Sequence, residues 1–281
     1  MKRILCAAAL ALLCSVCFAA VPLDRATGQT LIAPAYFGPY AYPVPDMNDG
    51  TLKSTIYAEV SCDGVVGHIS ADNPDYTLCP TFRLAFPLWT DRANFVIYGE
   101  MHEFYWSNPE VQALRRVSSE LPTTDNDSGN LYYGVEMLVL REGALWPSVV
   151  LAAYTQSASG YYYDSARHYD CAGYHFTLSA GKSFGGFRVA AMGGFLCWQT
   201  ANGRQNDAWL AAAKASYSKD WFSVSAEYGT YHGWEHMGDC PSTVKLRAEL
   251  HFGHFAPFAY YAHGIADWPF DQLRIGVAYN L

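Results

Sequence analysis

Apolar and polar residues alternate along most of the chain after residue 51. In the last nine residues, LRIGVAYNL, an apolar side chain occupies every second position from Leu273 to Leu281. The segment VKLRAELHF (244–252) alternates in the same way. Because successive side chains of a strand point to opposite faces, this period of two predicts strands with one apolar and one polar face. The pattern predicts twelve strands, over residues 52–62, 76–88, 93–106, 130–142, 147–157, 172–183, 187–199, 207–217, 221–232, 243–252, 255–265 and 270–281.

The connections between these strands differ in length at the two ends of the predicted sheet. Five are tight, with the sequences WTDR, GALWP, FGG, SKD and GH, and they alternate with longer connections such as 107–129 and 158–171. Short turns at one end and long loops at the other are typical of outer-membrane β-barrels. An even number of strands brings both chain ends to the same side, so every long loop then faces outward.

The tryptophans support a membrane location. None of the eight falls in the middle of a predicted strand, and Trp89, Trp146 and Trp221 lie at tight turns. Indole rings favour the headgroup level of a bilayer, so this placement predicts two aromatic girdles. The alternative is a secreted soluble β-sandwich or lipocalin-like barrel, whose core would hold several tryptophans. The sequence therefore predicts an all-β fold, a single antiparallel transmembrane β-barrel of about 12 strands in the cell outer membrane.

The first 51 residues lack this alternation. Residues 1–20 combine a basic start, a short apolar stretch and two terminal alanines, which predicts a secretory signal peptide. Residues 21–51 carry prolines at positions 34, 39, 43 and 45 among tyrosines, and proline donates no hydrogen bond to a sheet. We expect this Pro-rich leader to line the periplasmic mouth, to enter the lumen as a plug, or to stay a flexible segment. The barrel then occupies residues 52–281.

A short helix is predicted in the long connection at 107–122. Ser107 and Glu110 have the spacing of a capping box, with Pro109 in the first turn. We expect this helix to fold over the outer rim of the barrel.

Charge and cysteine content narrow the choice of partners. Without the signal peptide the chain keeps 16 basic and 26 acidic residues, a net charge of −10, which argues against nucleic acid. Five cysteines remain, an odd number that excludes a fully paired disulfide framework. Cys62 and Cys79 flank the first outer loop on neighbouring predicted strands, so a disulfide between them is a candidate.

The polar faces of the predicted strands define the lumen. A balanced set of charges there favours a weakly selective polar pore, or an ion-pair network that only fills the barrel. Eight strands leave room for side chains alone and sixteen leave a channel, so twelve strands do not decide between the two. The predicted lumen-lining residues are six basic and five acidic: Glu59, Arg83, Glu100, Glu136, Arg188, Lys214, Glu227, Lys245, Arg247, Glu249 and Arg274.

One outer loop is rich in tyrosine and charged residues and is a candidate ligand site. Aromatic faces beside polar groups suit sugars or small aromatic molecules. Tyrosines exposed at the outer headgroup level are the simpler interpretation, which we favour. The candidates are Tyr161, Tyr162, Tyr163, Asp164, Arg167, Tyr169 and Asp170.

Two patterns that could carry catalysis are weak. The segment HGWEH (232–236) matches a zinc signature, but His232, Glu235 and His236 stand at a strand end, whereas the signature needs a helix. They remain weak metal candidates, and no cofactor is predicted.

A barrel-borne hydrolase would need a Ser–His pair within hydrogen-bond reach. His175 and Ser179 share a face of one strand but lie roughly 13 Å apart by strand rise. His102 and Glu100 share a face with no obvious serine. The sequence therefore predicts no catalytic residue.

Several stretches resemble a known family. PAYFGPYAYPVPDMNDG, FPLWTDRANFVIYGEMHEFY, YYDSARHYDCAGYHF and QNDAWLAAAKASY resemble a family of uncharacterised outer-membrane barrel proteins found in Bacteroidetes-type bacteria. The resemblance covers most of the chain after the signal peptide, and the Pro-rich leader is its most specific part. It implies an outer-membrane barrel with the leader as part of the protein, and it implies no reaction, ligand or catalytic residue.

These observations predict a non-enzymatic, narrow porin-like channel for small solutes. The alternatives are a barrel-borne lipid hydrolase of the phospholipase or lipid A deacylase type, and a plugged barrel that serves as a surface interaction or assembly component. The expected partners are outer-membrane lipid, small solutes, and the barrel assembly machinery, which recognises a C-terminal strand. Leu281 departs from the phenylalanine or tryptophan usual at that end, although Tyr279 keeps an aromatic ring nearby.

Overall fold

A computed structural model describes most of the chain beyond the signal peptide. The predicted signal peptide and leader residues 21–36 lie outside the described residues. The described ranges are 37–70, 75–89, 91–115, 117, 119–160, 167–168, 172–199, 206–234 and 239–281.

The described residues form one antiparallel sheet of fourteen segments. Two pairs of segments are halves of single long strands: β3 and β4 are interrupted at Met101, and β5 and β6 at residues 129–130. The barrel therefore has twelve strands, as the sequence predicts. The segments are β1 (Tyr57–Gly67), β2 (Asp75–Trp89), β3 (Ala93–Glu100), β4 (His102–Trp106), β5 (Thr124–Ser128), β6 (Leu131–Leu140), β7 (Ser148–Gln156), β8 (Gly173–Phe184), β9 (Phe187–Trp198), β10 (Ala208–Lys219), β11 (Phe222–His232), β12 (Ser242–Leu250), β13 (Phe255–Ala266) and β14 (Phe270–Asn280).

The last strand closes the barrel. β14 pairs with β13 on one side and with β1 on the other, from Tyr57 opposite Asn280 to Gly67 opposite Phe270. This confirms the closing role that the alternation of the last residues predicts. A closed sheet leaves no unpaired edge, which lipid requires because it offers backbone groups no hydrogen-bond partner.

The two faces of the barrel differ as the alternation predicts. Outward side chains of β14 such as Leu273, Ile275 and Val277 are exposed on the barrel surface, whereas the inward Gln272 is buried. Similar apolar residues on the other strands complete a belt that faces lipid.

Two predicted boundaries are wrong for a physical reason. The first strand occupies 57–67, not 52–62, because Asp63 is an inward residue within the strand and not the start of a loop. The predicted loop 107–129 contains β5, whose sequence TDNDS has no apolar face. β5 pairs with β4 beyond the lipid belt, where apolar residues are not needed.

The predicted helix is shorter than expected and has a different cap. Helix α1 (Pro109–Leu114) begins after Asn108, whose side chain accepts a hydrogen bond from the Val111 N–H at 3.0 Å. Ser107 does not cap it, because its own N–H donates to the Thr123 carbonyl and so extends the neighbouring strand pair. No helix in the described ranges is both long and apolar enough to cross a bilayer.

The short connections cluster at one end of the barrel, here called the short-turn end, and the longer ones at the opposite, long-loop end. Trp89, Trp146 and Trp221 are exposed at the short-turn end, as a girdle requires. The second girdle is only partly formed by tryptophan, because Trp106 and Trp209 are exposed near the long-loop end, whereas Trp198, Trp234 and Trp268 are buried inside the barrel. Alternation ends where strands meet loops, so the sequence did not distinguish inward from outward positions there.

Residues 37–50 of the leader lie inside the barrel and form no strand. Near the long-loop end, the Tyr42 ring packs 4.2 Å from the Trp234 ring. Near the short-turn end, the Arg188 guanidinium donates to the Asp49 carbonyl at 3.0 Å. The segment therefore passes down the lumen from one end to the other.

Candidate functional site in the barrel lumen

A cavity of about 700 Å³ lies inside the barrel. Its walls come from the strands and from the leader, and its lining reaches the turn residues Gly185 and Gly186 at the short-turn rim. All eleven predicted lumen residues line it: Glu59, Arg83, Glu100, Glu136, Arg188, Lys214, Glu227, Lys245, Arg247, Glu249 and Arg274.

One cluster of charges joins strands β11 and β12 to the leader. The buried Lys245 ammonium lies 2.5 Å from Asp46 and 3.4 Å from Glu227. Glu227 also accepts a hydrogen bond from the Met47 N–H at 3.1 Å. Lys214 lies 3.5 Å from Glu227 on the opposite side. Buried charges are tolerated when they are paired and hydrogen-bonded in this way, so the cluster holds the leader against the wall.

A second cluster lies on strands β1, β12 and β14. Arg247 bridges Glu59 at 3.0 Å and Glu249 at 2.7 Å, and the Tyr57 hydroxyl donates to Glu59 at 2.5 Å. Nearby, Arg274 donates to both carboxylate oxygens of Asp63. These acidic groups are therefore engaged by donors of the protein itself.

A second set of hydrogen bonds holds the leader at the short-turn rim. Two N–H groups of Arg188 donate to the Asp49 carbonyl, and a third donates to Glu142 at 2.8 Å. The Ser183 N–H also donates to Glu142, and with Arg188 it lowers the pKa of Glu142 to about 2. Glu142 lies in the turn between β6 and β7, outside the membrane belt.

Two cations of the cavity are not engaged in the same way. Arg83 makes no hydrogen bond to any described residue, and its closest carboxylate, Glu136, is 3.7 Å away. Its side chain keeps 32% of its area exposed to the cavity, and its guanidinium lies 5.2 Å from the centre of the Tyr98 ring. The Lys53 ammonium lies 4.1 Å from the Tyr57 ring centre. Both therefore retain donors that face the cavity.

Toward the long-loop end the lumen is filled by aromatic side chains. Tyr42 of the leader packs with Tyr132, Trp198, Tyr231 and Trp234 of the barrel, and all five are buried. The Trp234 indole N–H donates to the Trp198 carbonyl at 2.7 Å. This aromatic layer fills one side of the lumen near the long-loop end, while the cavity continues beside it to Tyr40 and Trp268.

A buried ion network lies beyond that layer. Arg167 contacts Asp75 at 2.8 Å and Glu103 at 2.5 Å, and Arg115 contacts Asp75 at 2.6 Å. The ring of His168 stacks on the leader's Tyr40 at 5.7 Å. The prediction that Arg167 is part of an exposed ligand loop is therefore wrong, because its guanidinium is buried and fully engaged.

The other residues of that outer-loop candidate, Tyr161, Tyr162, Tyr163, Asp164, Tyr169 and Asp170, lie outside the described residues.

The network's acidic residues were missed by sequence reasoning. Asp75 is the first residue of β2. Glu100 and Glu103 both point inward, because the interruption at Met101 shifts the alternation of inward and outward residues by one position. The same shift places His102 on the outside, where it contacts Asn126 at 2.8 Å. The predicted shared face of His102 and Glu100 is therefore wrong.

The predicted disulfide between Cys62 and Cys79 is also wrong. Cys62 pairs with Pro80 and Cys79 with Asp63, so the two cysteines are one residue out of register. Cys62 is exposed on the outer face, whereas Cys79 is buried in the lumen. A disulfide needs both Cβ atoms to face each other. None of the described cysteines is bonded to another.

No catalytic constellation assembles in the described part of the chain. The buried His175 and Ser179 both lie inward on β8, and His175 Nδ1 and Ser179 Oγ have no hydrogen-bond partner there. Ser223 Oγ lies 3.3 Å from His251 Nε2, but the Glu249 carboxylate contacts the same nitrogen at 3.5 Å. A catalytic relay needs the acid on the other ring nitrogen.

Of the three metal-ligand candidates, only His232 lies among the described residues. His232 ends strand β11, while Glu235 and His236 lie outside the described residues. The described residues contain no group of three histidine, cysteine or acidic side chains that could hold a metal ion.

Comparison with known proteins supports the fold. No family model and no curated protein sequence matches the chain. An outer membrane channel from Pseudomonas putida F1 superposes with a TM-score of 0.62 at 13% identity, covering 84% of this chain and 100% of that one. The NanC porin superposes with a TM-score of 0.51 at 11% identity, covering 80% and 100%.

The outer membrane phospholipase A from Escherichia coli aligns with a TM-score of 0.41 at 15% identity, covering 81% of this chain and 92% of that one, too weak a likeness to carry an argument. The closed barrel, its apolar belt and its polar lumen give this chain the fold of a twelve-stranded outer-membrane β-barrel.

Proposed function

We propose that the protein is a narrow, non-enzymatic outer-membrane channel for small solutes, constricted from within by residues 37–50. The observation that carries the proposal is the polar cavity of about 700 Å³. It reaches the short-turn rim at one end and extends to Tyr40 and Trp268 toward the other, beside the aromatic layer that Tyr42 completes with the barrel. Two solved structures similar in fold are an outer membrane channel and a porin.

The charges that line the cavity favour weak selectivity. They comprise seven basic and seven acidic residues, and most of the acidic ones are engaged by donors of the protein. A lumen without a dominant charge should pass small solutes of either sign at comparable rates.

Planar-bilayer conductance tests this function. We expect small discrete current steps from the intact protein and clearly larger steps after deletion of residues 37–50, because the deletion removes the wall of the constriction. If the folded deletion variant gives no discrete steps, the protein is not a channel. If its steps equal those of the intact protein, residues 37–50 do not constrict the lumen.

A disulfide lock offers a reversible control. A Cβ built at Gly229 lies 3.0 Å from Val44 Cγ1, which suits a Val44→Cys/Gly229→Cys disulfide between leader and wall. The native cysteines would be replaced by alanine. Oxidation should abolish any spontaneous large openings, and reduction should restore them.

The two alternatives predict other results. A lipid hydrolase would release fatty acid from phospholipid or lipopolysaccharide, and we expect no release above a lipid-only control. A surface interaction or assembly component would show neither conductance nor turnover.

We also propose membership of the Bacteroidetes-type barrel family, supported by the Pro-rich leader. Relatives that carry the same leader should then occur in those bacteria. Recognition of β14 by the barrel assembly machinery is part of the same proposal and is tested below.

A further inference from the structure

One side of the cavity is lined by a continuous group of rings, here called the aromatic wall. It consists of Tyr98, Tyr132, Tyr154, His175 and Trp198, one from each of five neighbouring strands. Tyr98 stacks on Tyr132 at 4.8 Å and Tyr154 on His175 at 4.8 Å. The remaining ring contacts, at 5.8 to 6.1 Å, join these pairs to each other and to Trp198.

The aromatic wall carries polar atoms that have no partner. Tyr132, His175 and Trp198 are each more than nine-tenths buried. The Tyr132 hydroxyl, His175 Nδ1 and Trp198 Nε1 nevertheless form no hydrogen bond with any described residue. Buried polar atoms of this kind are nearly always satisfied, so their grouping in one cavity points to a partner that is not part of the protein.

Other polar groups that line the same cavity also lack a hydrogen-bond partner among the described residues. One oxygen of Glu100 and the Thr243 hydroxyl are also buried without a partner, and Arg83 presents free N–H groups beside Tyr98. The set thus contains pure donors, pure acceptors and hydroxyl groups that are both.

We propose that this wall is a binding subsite for a neutral sugar of one or two pyranose rings. A pyranose has apolar C–H faces that pack on aromatic rings, and hydroxyls that both donate and accept hydrogen bonds. The mixed set of unpartnered atoms needs such groups. The volume of about 700 Å³ is in the usual range for small-ligand sites.

The charge balance of the cavity argues for a neutral ligand. Its seven basic and seven acidic lining residues already balance. An ionised ligand would add an uncompensated charge to a partly desolvated site. The inference rests on the proposed channel function only for the route by which the sugar enters, because binding itself can be measured at equilibrium.

Saturation-transfer NMR with D-glucose and maltose tests the subsite. The protein is folded in a detergent without a sugar headgroup. We expect saturable binding that weakens about threefold to tenfold in Trp198→Phe, the loss expected for one hydrogen bond of about 0.5–1.5 kcal/mol. The matched control is Trp146→Phe, because Trp146 is exposed at the short-turn end and does not line the cavity.

A second variant protects the test against misfolding. Tyr132→Phe removes only a hydroxyl that bonds to no described residue, so the barrel should fold normally while sugar binding weakens. Absence of saturable binding, or equal weakening by the Trp146 control, would overturn the proposal. Tighter binding of glucuronate than of glucose would also overturn it, in favour of an anion site at Arg83. Conductance without sugar binding would support the channel function and contradict the sugar subsite. Sugar binding without conductance would support the subsite and contradict the channel function.

Discussion

Asp63 is a densely hydrogen-bonded carboxylate of the lumen. It is fully buried and accepts hydrogen bonds from Arg274 at 2.5 and 2.9 Å, from Gln272 at 2.6 Å and from the leader's Tyr40 hydroxyl at 3.1 Å. Removing its charge leaves Arg274 without its main partner. We predict that Asp63→Asn destabilises the barrel by about 3–5 kcal/mol. The midpoint of urea unfolding in detergent measures this change.

A double variant separates the ion pair from general damage. Asp63→Leu with Arg274→Met removes both charges and should unfold at a higher urea concentration than Asp63→Asn alone, since no buried charge is left unpaired. Equal midpoints for the single variant and the native protein would show that the pair contributes nothing to stability.

Asp63 also shows what the sequence could and could not predict at this scale. Its partner Arg274 was predicted in the lumen because the alternation of β14 is unbroken to the chain end. Asp63 was missed because an acidic residue followed by glycine resembles the start of a loop. The partner pair is separated by 211 positions, so only the closing register of β1 and β14 reveals it.

Strand β14 is the element on which closure depends. Its pairing with β1 runs over eleven residue pairs, and residues 277–280 supply four of them at the short-turn end. Deleting residues 277–281 would leave the start of β1 unpaired in or near lipid, where each unsatisfied backbone group costs several kcal/mol. We predict loss of the folded, heat-modifiable form from the outer membrane fraction.

The control for this truncation changes only the last side chain. Leu281 is exposed, and its N–H donates to the Ile56 carbonyl at 3.0 Å, a bond that Leu281→Ala preserves. This variant should insert normally. Normal insertion of the truncated chain would contradict the closing role of β14 in assembly.

At the same scale, the strands were predictable because lipid imposes a strict apolar face on each of them. β5 was not predicted because it lies beyond the lipid belt, where no apolar face is required. The sequence did not reveal the interruption of the strand at Met101, because apolar and polar residues still alternate on both sides of one extra residue. Local pattern therefore predicts elements inside the membrane well, and predicts their extensions beyond it poorly.

For the whole molecule, residues 37–50 of the leader and the barrel form one packed unit. Sequence reasoning left three places open for the leader because its prolines give no periodicity. Its contacts lie far along the chain: the Met47 N–H bonds Glu227, and Lys245 bonds the Val44 carbonyl. Such contacts follow from the curvature of a closed barrel and are not encoded in any local pattern.

If the leader is part of the folded unit, removing it should lower thermal stability. Tyr42, Val44 and Met47 are buried, and each buried apolar side chain contributes at most about 1.5–3 kcal/mol. Allowing for the entropy of ordering the segment, we predict that deletion of residues 37–50 lowers the unfolding midpoint by about 5–10 °C. The midpoint is read from the loss of the folded band on unboiled gels.

Two glycine variants test the same contact without shortening the chain. A Cβ at Gly181 would overlap the Asp49 carbonyl, so Gly181→Val should displace the leader from the short-turn rim and reproduce part of the loss. Gly193 on the neighbouring strand has nothing within 4 Å of a built Cβ, so Gly193→Val should leave the midpoint unchanged. A deletion variant as stable as the native protein would mean that the leader is a passive occupant of the lumen. A midpoint that falls with Gly181→Val but not with Gly193→Val would locate the stabilising contact at the rim.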